Sequence, residues 1–489
     1  MNNKIKDFLF KNKNVKQIIA KNIFWLSVGQ IGSRVIRAFI IIYAARLLGA
    51  AEYGVFSYAL GLAGFFTVFS DIGLSPILTR EAAKKPSMGS HYFATIFWMK
   101  IVLLAITSLL IIFLAPQFSG IEAAKAIIPF IALLIIFDGV RDLTLAFMRA
   151  KNKMEIEALI TVITNVAIAV FGFIILYFSA TAKAFTLSYV ASAGIGTLAA
   201  IFILKEEFMR IVNNFRKQLI PSIMKSALPI ALLSIFAVFM INIDIIMLGW
   251  FRTAEEIGFY SGGLRIVQFL YMLPSIISIS IYPSLSKLVG ENNHEKAKKL
   301  MEKTITVVLL MAFPMAVGGV ILGSPLIEII FGAEYLPGAN AFKILIVAIT
   351  FVFMGHILAN AILAYNLQRK MTKFVIGAAI ANVVLNFILI PIYGIVGAAV
   401  ATFSVQAFYY LSFLVILKKV NKFLILKYLK KIIAAAAIMG IFTFIINLLG
   451  IHVILNILIS AFVYFAVLLL LKENMVDELK LIALSINKK

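Results

Sequence analysis

The chain consists of long apolar runs separated by short polar segments. A run of roughly 20 apolar residues is enough for an α-helix to cross the ~30 Å hydrocarbon core of a bilayer. About fourteen such runs are present, and the pattern predicts an all-α polytopic membrane protein. The expected spans are 22–45, 53–75, 92–114, 125–147, 156–178, 184–204, 226–249, 258–285, 304–330, 341–364, 374–391, 395–417, 432–450 and 453–471.

The composition narrows the class of protein further. With 62% hydrophobic residues and a mean hydropathy of +1.03, the 489-residue chain is too apolar for a soluble domain with one anchor. The first apolar run is too long for a cleavable signal peptide. The absence of cysteine excludes disulfides and thiolate metal sites, and the four histidines lack metal-site spacing. The sequence therefore predicts no metal and no cofactor.

The formal net charge of +23 is unevenly distributed along the chain. Most of the 45 lysines and arginines lie in alternate, inner segments. Those before the first span are Lys4, Lys6, Lys11, Lys13, Lys16 and Lys21. The outer loops carry only Arg46, Lys125, Lys183, Arg252 and Lys343. By the positive-inside rule, this bias predicts a cytoplasmic-membrane protein with both termini in the cytoplasm, and it indicates the bilayer rather than nucleic acid as partner.

Two short motifs recur in the same order and indicate an internal repeat. LLGAAEYGVFSYALGL (47–62) follows the first span, and MLGWFRTAEEIGFYSGGL (247–264) follows the seventh. Lys-Met precedes Asn-Val by the same distance at 153–166 and at 370–383. The repeat predicts two pseudo-symmetric six-helix bundles related by an axis along the membrane normal. The expected N-terminal bundle, C-terminal bundle and peripheral helix pair with cytoplasmic tail are 1–210, 211–425 and 426–489.

The first span carries polar residues that a lipid-facing helix would avoid. Arg34 and Arg37 lie inside it, and an arginine near the centre of a span costs at least ~2.5–3.5 kcal/mol. Gln30, Arg34 and Arg37 share one helix face. One interpretation is that this face lines a wet crevice between the two bundles and binds a phosphate, because a guanidinium makes forked hydrogen bonds to phosphate oxygens. The other is that both arginines are structural and pair with carboxylates of other helices.

Arg265 and Asp244 lie at similar depths in the eighth and seventh spans. They can form an ion pair with each other. Alternatively, Arg265 is the second bundle's contribution to the anion site and Asp244 tunes it. Gln268 lies three residues after Arg265 on the same face and joins the candidate substrate-binding residues.

Asp138, Arg141 and Asp142 are spaced i, i+3, i+4 on the inner half of the fourth span, where they can neutralise one another. They form either a structural cluster near the cytoplasmic mouth or a gate.

Asp71 lies near the inner end of the second span. We expect it to join Arg80 and Glu81 in an inner gate or a loop-holding network, with a proton or sodium site as the alternative. Lys100 can extend to the cytoplasmic interface and is assigned no function.

The run ARLLGAAEYGVFSYALGLAGFFTVFSDIGLSPILTREAAKK (45–85) resembles the opening of prokaryotic polysaccharide-type flippases of the multidrug/oligosaccharidyl-lipid/polysaccharide exporter superfamily. DIGL (71–74) followed by Arg80-Glu81 is its most specific part, and INIDIIMLG (241–249) matches the start of the family's second bundle. The resemblance implies a MATE-like fold and a monomeric transporter, not an enzyme. It implies alternating-access movement of a polyprenyl-linked oligosaccharide to the outer leaflet, for polysaccharide biosynthesis or glycosylation.

Other functions fit parts of the sequence. A drug/cation exporter of the same superfamily is the nearest alternative, although its first bundle should hold more carboxylates than arginines. A lipid II-type flippase is a close variant. A membrane-embedded glycosyltransferase would need acid/base side chains near a membrane face and a substantial outer loop, whereas the outer loops here are short.

Overall fold

The structure, a computed structural model, describes residues 15–421, 423 and 426–471. The chain divides into two compact units, Met1–Gly258 and Phe259–Lys489. The helices that lie within the first unit are α1 (Val15–Asp71), α2 (Leu74–Lys84), α3 (Gly89–Leu109), α4 (Glu122–Lys125), α5 (Ile128–Ala150), α6 (Met154–Phe178), α7 (Ala182–Ile203), α8 (Lys205–Met209) and α9 (Ile220–Phe251). The remaining helices are α10 (Ala254–Leu270), which begins in the first unit, α11 (Met272–Gly290), α12 (His294–Ile321), α13 (Gly323–Phe331), α14 (Ala339–Val347), α15 (Ile349–Ala364), α16 (Gln368–Lys418), α17 (Leu426–Leu448) and α18 (Val453–Leu470). Lys4, Lys6, Lys11, Lys13 and the tail after residue 471 lie outside the described residues.

The predicted all-α membrane architecture is confirmed, and the described residues contain no strand. Ten helical segments are long and apolar enough, by length and composition, to cross a membrane. One of them, α16, covers two predicted spans, and α1 covers two more. Helix α5 (Ile128–Ala150) corresponds to the predicted span 125–147 and is not among the ten, so the described helices are consistent with fourteen crossings.

Helices α1 and α16 each change direction at a single glycine. Gly49 has φ 73° and ψ 171°, and Gly394 has φ 58° and ψ −135°. Positive φ is unfavourable for residues with a Cβ, so glycine is the residue that allows these breaks. Gly49 separates a first arm of α1 (15–48) from a second arm (50–71), and Gly394 separates a first arm of α16 (368–393) from a second arm (395–418).

Helix α1 is central to the packing of the first unit. Its first arm packs on α6, where Gly29 lies against Ala158, and its second arm packs along α9, where Gly61 lies against Ile245. Small residues at such crossings let membrane helices approach closely. Because α9 packs along α1, the compact unit extends beyond residue 210. The repeat boundary at that position stays a prediction.

Helices α17 and α18 pack on each other and on α12 in the second unit. The Tyr464 hydroxyl of α18 donates to the carbonyl oxygen of Leu310 on α12 at 2.9 Å. The hydroxyls of Thr443 and Ser460 are hydrogen-bonded to each other at 2.8 Å between α17 and α18. Polar groups in an apolar setting need such partners, so these bonds fix how the last helix pair attaches. Its peripheral role in transport stays a prediction.

Candidate functional site

The first arm of α1 has two accessible faces of opposite character. The apolar face comprises the exposed side chains of Phe24, Val28 and Phe39. Gln30, Arg34 and Arg37 follow an i, i+4, i+7 spacing and are also exposed. At roughly 100° per residue, they lie on the opposite side of the helix from the apolar face. Because the apolar face suits lipid, the polar face points away from lipid.

Arg37 is anchored to α6, whereas Arg34 is not. The Arg37 Nε donates to Oδ1 of Asn165 at 2.9 Å, and Nδ2 of Asn165 donates to the Thr161 carbonyl oxygen at 2.8 Å. Asn165 is 2% exposed, so this amide lies at the helix interface and directs Arg37 towards α6. Within the described part of the chain, Arg34 makes no hydrogen bond or ion pair. Its guanidinium therefore keeps all five N–H donors for a ligand.

Three ionisable side chains of α5 form a cluster beside Arg37. Nη1 of Arg141 lies 2.8 Å from Oδ1 of Asp138, and Nη2 lies 3.4 Å from Oδ1 of Asp142. Arg141 is 15% exposed, so the two carboxylates neutralise a largely buried guanidinium. Arg37 adds an electrostatic attraction to Asp138 from α1. The cluster thus adjoins the polar face of α1, and its role as a gate stays a prediction.

Asp71 belongs to a polar network at the junction of α1, α2 and α3, in which Lys100 is buried and Asp71 is half-buried. Its carboxylate accepts hydrogen bonds from Nζ of Lys100 and, at 2.5 Å, from the Ser75 hydroxyl. Lys100 is 3% exposed, so its ammonium does not extend to the membrane interface as expected, because the carboxylate offers it a partner inside the protein. Ile72 (φ 38°) and Gly73 (φ 82°) turn the chain here, and the network holds that turn.

Arg80 and Glu81 pair with each other. The Arg80 Nε donates to Oε1 of Glu81 at 2.7 Å, and the Arg80 side chain is 45% exposed. A pair this accessible contributes about 0–1 kcal/mol to stability. In the structure, Asp71 is thus paired with Lys100. A role for Arg80 and Glu81 in an inner gate stays a prediction.

The remaining candidates lie on α9 and α10. Asp244 is buried in α9. On α10, Nη1 of Arg265 donates to Oε1 of Gln268 at 3.2 Å, so the two side chains share a face as their spacing predicts. The ion pair of Asp244 with Arg265 and the anion site at Arg265 stay predictions.

Asn165 positions Arg37 and Lys100 positions Asp71, and the sequence alone did not place either residue in the site. Each nevertheless has a recognisable feature in the sequence. Asn165 recurs as Asn382 in the second motif of the repeat, and Lys100 is a cation within an apolar run, where a charge needs a partner. No group of three or more His, Asp or Glu side chains among the described residues is arranged to hold a metal ion.

Solved structures similar to this fold include a lipid II flippase and a multidrug transporter. The lipid II flippase MurJ in an inward closed conformation aligns with a TM-score of 0.74 and 18% identity, over 92% of this chain and 99% of that one. An inward-facing MATE-family multidrug resistance transporter of the MOP superfamily aligns with a TM-score of 0.63 and 15% identity, over 79% of this chain and 98% of that one. Identities this low show the fold alone, and they confirm the expected MATE-like architecture.

Sequence comparisons identify the family. A probable low-salt glycan biosynthesis flippase, Agl15, from Haloferax volcanii is 23% identical over 74% of this chain and 75% of that protein. The profile of a family described as polysaccharide biosynthesis protein matches residues 44–340, which is more than half of the chain. The match includes the first repeat motif, and the resemblance noted there is confirmed. The chain therefore belongs to the polysaccharide biosynthesis protein family.

Proposed function

We propose that the protein flips a lipid-linked oligosaccharide from the cytoplasmic to the outer leaflet by alternating access, for polysaccharide biosynthesis or glycosylation. Membership of the polysaccharide biosynthesis protein family supports this proposal, as does the similarity to Agl15, which is named as a flippase. The protein is a transporter rather than an enzyme. It acts as a monomer in the cytoplasmic membrane with both termini in the cytoplasm, an orientation that rests on the distribution of lysine and arginine.

One observation carries the assignment of the substrate-binding residues. Arg34 and Arg37 lie on the polar face of α1, opposite the apolar face, and neither is within ion-pair distance of a carboxylate in the described residues. Arg34 offers a free guanidinium fork, and Arg37 offers one oriented by Asn165. Such a pair suits the pyrophosphate of a polyprenyl carrier, since arginine binds phosphate oxygens with two parallel hydrogen bonds. A cation exporter would require a carboxylate-rich face here instead.

The chemistry of the substrate explains why a protein is needed. The sugar and phosphate head is polar and charged, so it crosses hydrocarbon very slowly by itself. The arginine face replaces the hydration of the phosphates while the lipid tail stays in the bilayer. An inside-negative membrane potential favours outward movement of an anion by ~2.3 kcal/mol per charge per 100 mV.

The test is transport by the purified protein in proteoliposomes loaded with the lipid-linked glycan extracted from the source cells. Arg34→Ala and Arg37→Ala should each lower the initial rate about 10- to 100-fold, because a hydrogen bond to a charged group contributes about 1.5–3 kcal/mol. Arg34→Lys keeps the charge without the fork and should recover part of the rate.

Lys125→Ala is the matched control, because it removes a cation paired with Glu122 on α4, a short helix that carries none of the candidate residues. It should leave the rate unchanged. Undiminished transport by both alanine variants at normal protein levels would remove these arginines from the substrate site. Absence of glycan-lipid transport by the unmodified protein would refute the function itself.

A further inference from the structure

The second unit places polar side chains along α10 and beyond its end. Arg265 and Gln268 are hydrogen-bonded at 3.2 Å, and Tyr271 follows six residues after Arg265, about 9 Å further along the helix direction. The Tyr271 hydroxyl lies near the side-chain amide of Gln406 on α16. Side-chain amides within membrane spans favour surfaces that contact other helices rather than lipid.

The second arm of α16 adds two tyrosines next to this amide. The rings of Tyr409 and Tyr410 have centroids 4.9 Å apart, and Tyr410 lies near Tyr271. The exposed apolar residues of this arm are Phe408, Leu411 and Val415. Gln406, Tyr409 and Tyr410 lie on the other side of the helix and are partly accessible. Their accessible parts therefore face away from lipid.

Gln406 carries an acceptor without a partner. Its Oε1 is buried and has no hydrogen-bond partner among the described residues. An unpaired acceptor in an apolar setting is unfavourable, and a ligand hydroxyl that reaches it would remove the penalty. The side chain as a whole is partly accessible, and the terminal torsion of glutamine is broad, so a small rotation turns Oε1 towards a ligand.

Together these groups match the chemistry of a sugar ring. A pyranose presents C–H groups on its faces and hydroxyls on its rim. Tyrosine rings offer apolar faces with a hydroxyl at one edge, and a glutamine amide both donates and accepts. Specific small-molecule sites are typically lined by apolar and aromatic side chains, with a small number of polar groups that converge on the ligand.

We propose that Tyr271, Gln406, Tyr409 and Tyr410 form a subsite that binds the sugar head of the transported lipid, with Arg265 at its phosphate end. This inference rests on the proposed function and deepens it, because it assigns the recognition of the glycan to the second unit. A site that hydrogen-bonds ligand hydroxyls discriminates strongly against ligands that lack them. The subsite therefore selects the glycan-bearing lipid over the sugar-free carrier.

The experiment measures equilibrium binding to the full-length protein in detergent with two probes, the lipid-linked glycan from the source cells and sugar-free polyprenyl pyrophosphate. Gln406→Leu and Tyr271→Phe should each raise the Kd for the glycan lipid about tenfold relative to the Kd for the sugar-free lipid, since each removes a hydrogen-bonding group. Tyr464→Phe is the matched control, because it removes a tyrosine hydroxyl that bonds the Leu310 carbonyl in the same unit. It should leave the ratio of the two Kd values unchanged.

The outcomes separate this inference from the function on which it rests. If wild-type protein binds both lipids equally, or if Gln406→Leu and Tyr271→Phe weaken both alike, the sugar subsite is wrong even where the proteoliposomes flip the glycan lipid. If they do not flip it, the proposed function fails and the inference fails with it. If Gln406→Leu or Tyr271→Phe no longer elutes as a monodisperse protein, Tyr409→Phe takes its place. This variant keeps the ring, and we expect the same change in the ratio of the two Kd values.

Discussion

The two copies of the sequence repeat are most alike where their motif helices touch within the first unit. A Cβ on Gly54 in α1 would lie 1.7 Å from the carbonyl oxygen of Ala254. A Cβ on Gly258 in α10 would lie 2.0 Å from the carbonyl oxygen of Ala50. Each glycine follows, by four residues, the alanine that the other glycine meets, so the contact is reciprocal. The motif retains glycine in both copies because the two backbones leave no room for a side chain.

The copies differ in how the chain reaches this contact. Gly49 breaks α1 at positive φ, whereas Gly249 lies within α9 and makes room for the ring of Tyr58, whose Cε2 would be 2.0 Å from a Cβ there. Glu52 comes three residues after Gly49, while Glu256 comes seven after Gly249. The glycine of the Leu-Gly dipeptide thus allows a break in the helix in the first copy, and it makes room for a tyrosine ring in the second.

The matching asparagines also differ in what they hold. Asn165 accepts a hydrogen bond from Arg37, whereas Asn382 accepts one from Asn386 on its own helix at 2.6 Å. The repeat therefore preserves helix contacts and polar positions, but the anchored arginine belongs to the first copy alone among these pairs. The difference teaches that the close backbone contact is shared by the two copies, whereas the contact of an arginine with the repeated asparagine is found only at Asn165 of this pair.

The largest expected effect concerns the ion pair of Lys100 with Asp71 in the first copy. By the register of the Glu-x-Gly motifs, the counterpart of Asp71 is Ser275, whose hydroxyl donates to a carbonyl of its own helix at 2.7 Å. Lys100→Met leaves the Asp71 carboxylate without its ammonium and should lower the free energy of unfolding by about 3 kcal/mol, the lower end of the cost of breaking a buried pair, because Asp71 is 30% exposed. Denaturant titration in detergent measures the change.

Ser275→Ala provides the comparison in the second copy and should cost about 1 kcal/mol or less, because it removes one local hydrogen bond. The double variant Asp71→Leu/Lys100→Met should recover much of the loss, since no unpaired charge remains. Equal losses for Lys100→Met and Ser275→Ala would mean that the ion pair does not distinguish the two halves energetically.

The second test addresses the reciprocal glycine contact. Gly54→Ala and Gly258→Ala should each destabilise the protein by about 1–3 kcal/mol, because the new methyl forces two backbones apart. Gly32→Ala is the matched control on α1, because a Cβ there meets nothing within 4 Å. It should be neutral or stabilising by up to about 1 kcal/mol. A Gly258→Ala variant as stable as Gly32→Ala would show that the contact is one-sided.

Local patterns in the sequence predicted much of this arrangement. The apolar runs locate the helices, and the i, i+4, i+7 spacing places Gln30, Arg34 and Arg37 on one face, because both depend on neighbours along one helix. The cluster of Asp138, Arg141 and Asp142 follows from spacing in the same way.

Contacts between distant segments were not predictable from spacing. Arg37 and Asn165 are 128 residues apart, and Lys100 and Asp71 are 29 apart on different helices. Helix packing decides such pairs, and apolar faces that all suit lipid do not specify it. The Leu-Gly dipeptide is the same in both copies, so the sequence does not show that Gly49 breaks its helix at positive φ while Gly249 lies within a helix against Tyr58.

The smallest expected effect concerns the motif glutamates. Oε2 of Glu52 accepts from the Ala182 amide at 2.6 Å and so caps the start of α7, a helix distant in sequence. Glu256 instead caps its own helix, accepting from the Thr253 amide at 3.3 Å. Glu52→Ala should cost about 1–2 kcal/mol, as for the loss of a good N-terminal cap, and Glu256→Ala about half of that, because its bond is longer and exposed. Glu52→Gln keeps an acceptor and should recover most of the lost stability. If Glu256→Ala instead destabilises the protein more than Glu52→Ala does, the cap on α7 is not the reason that the first copy has glutamate at this position.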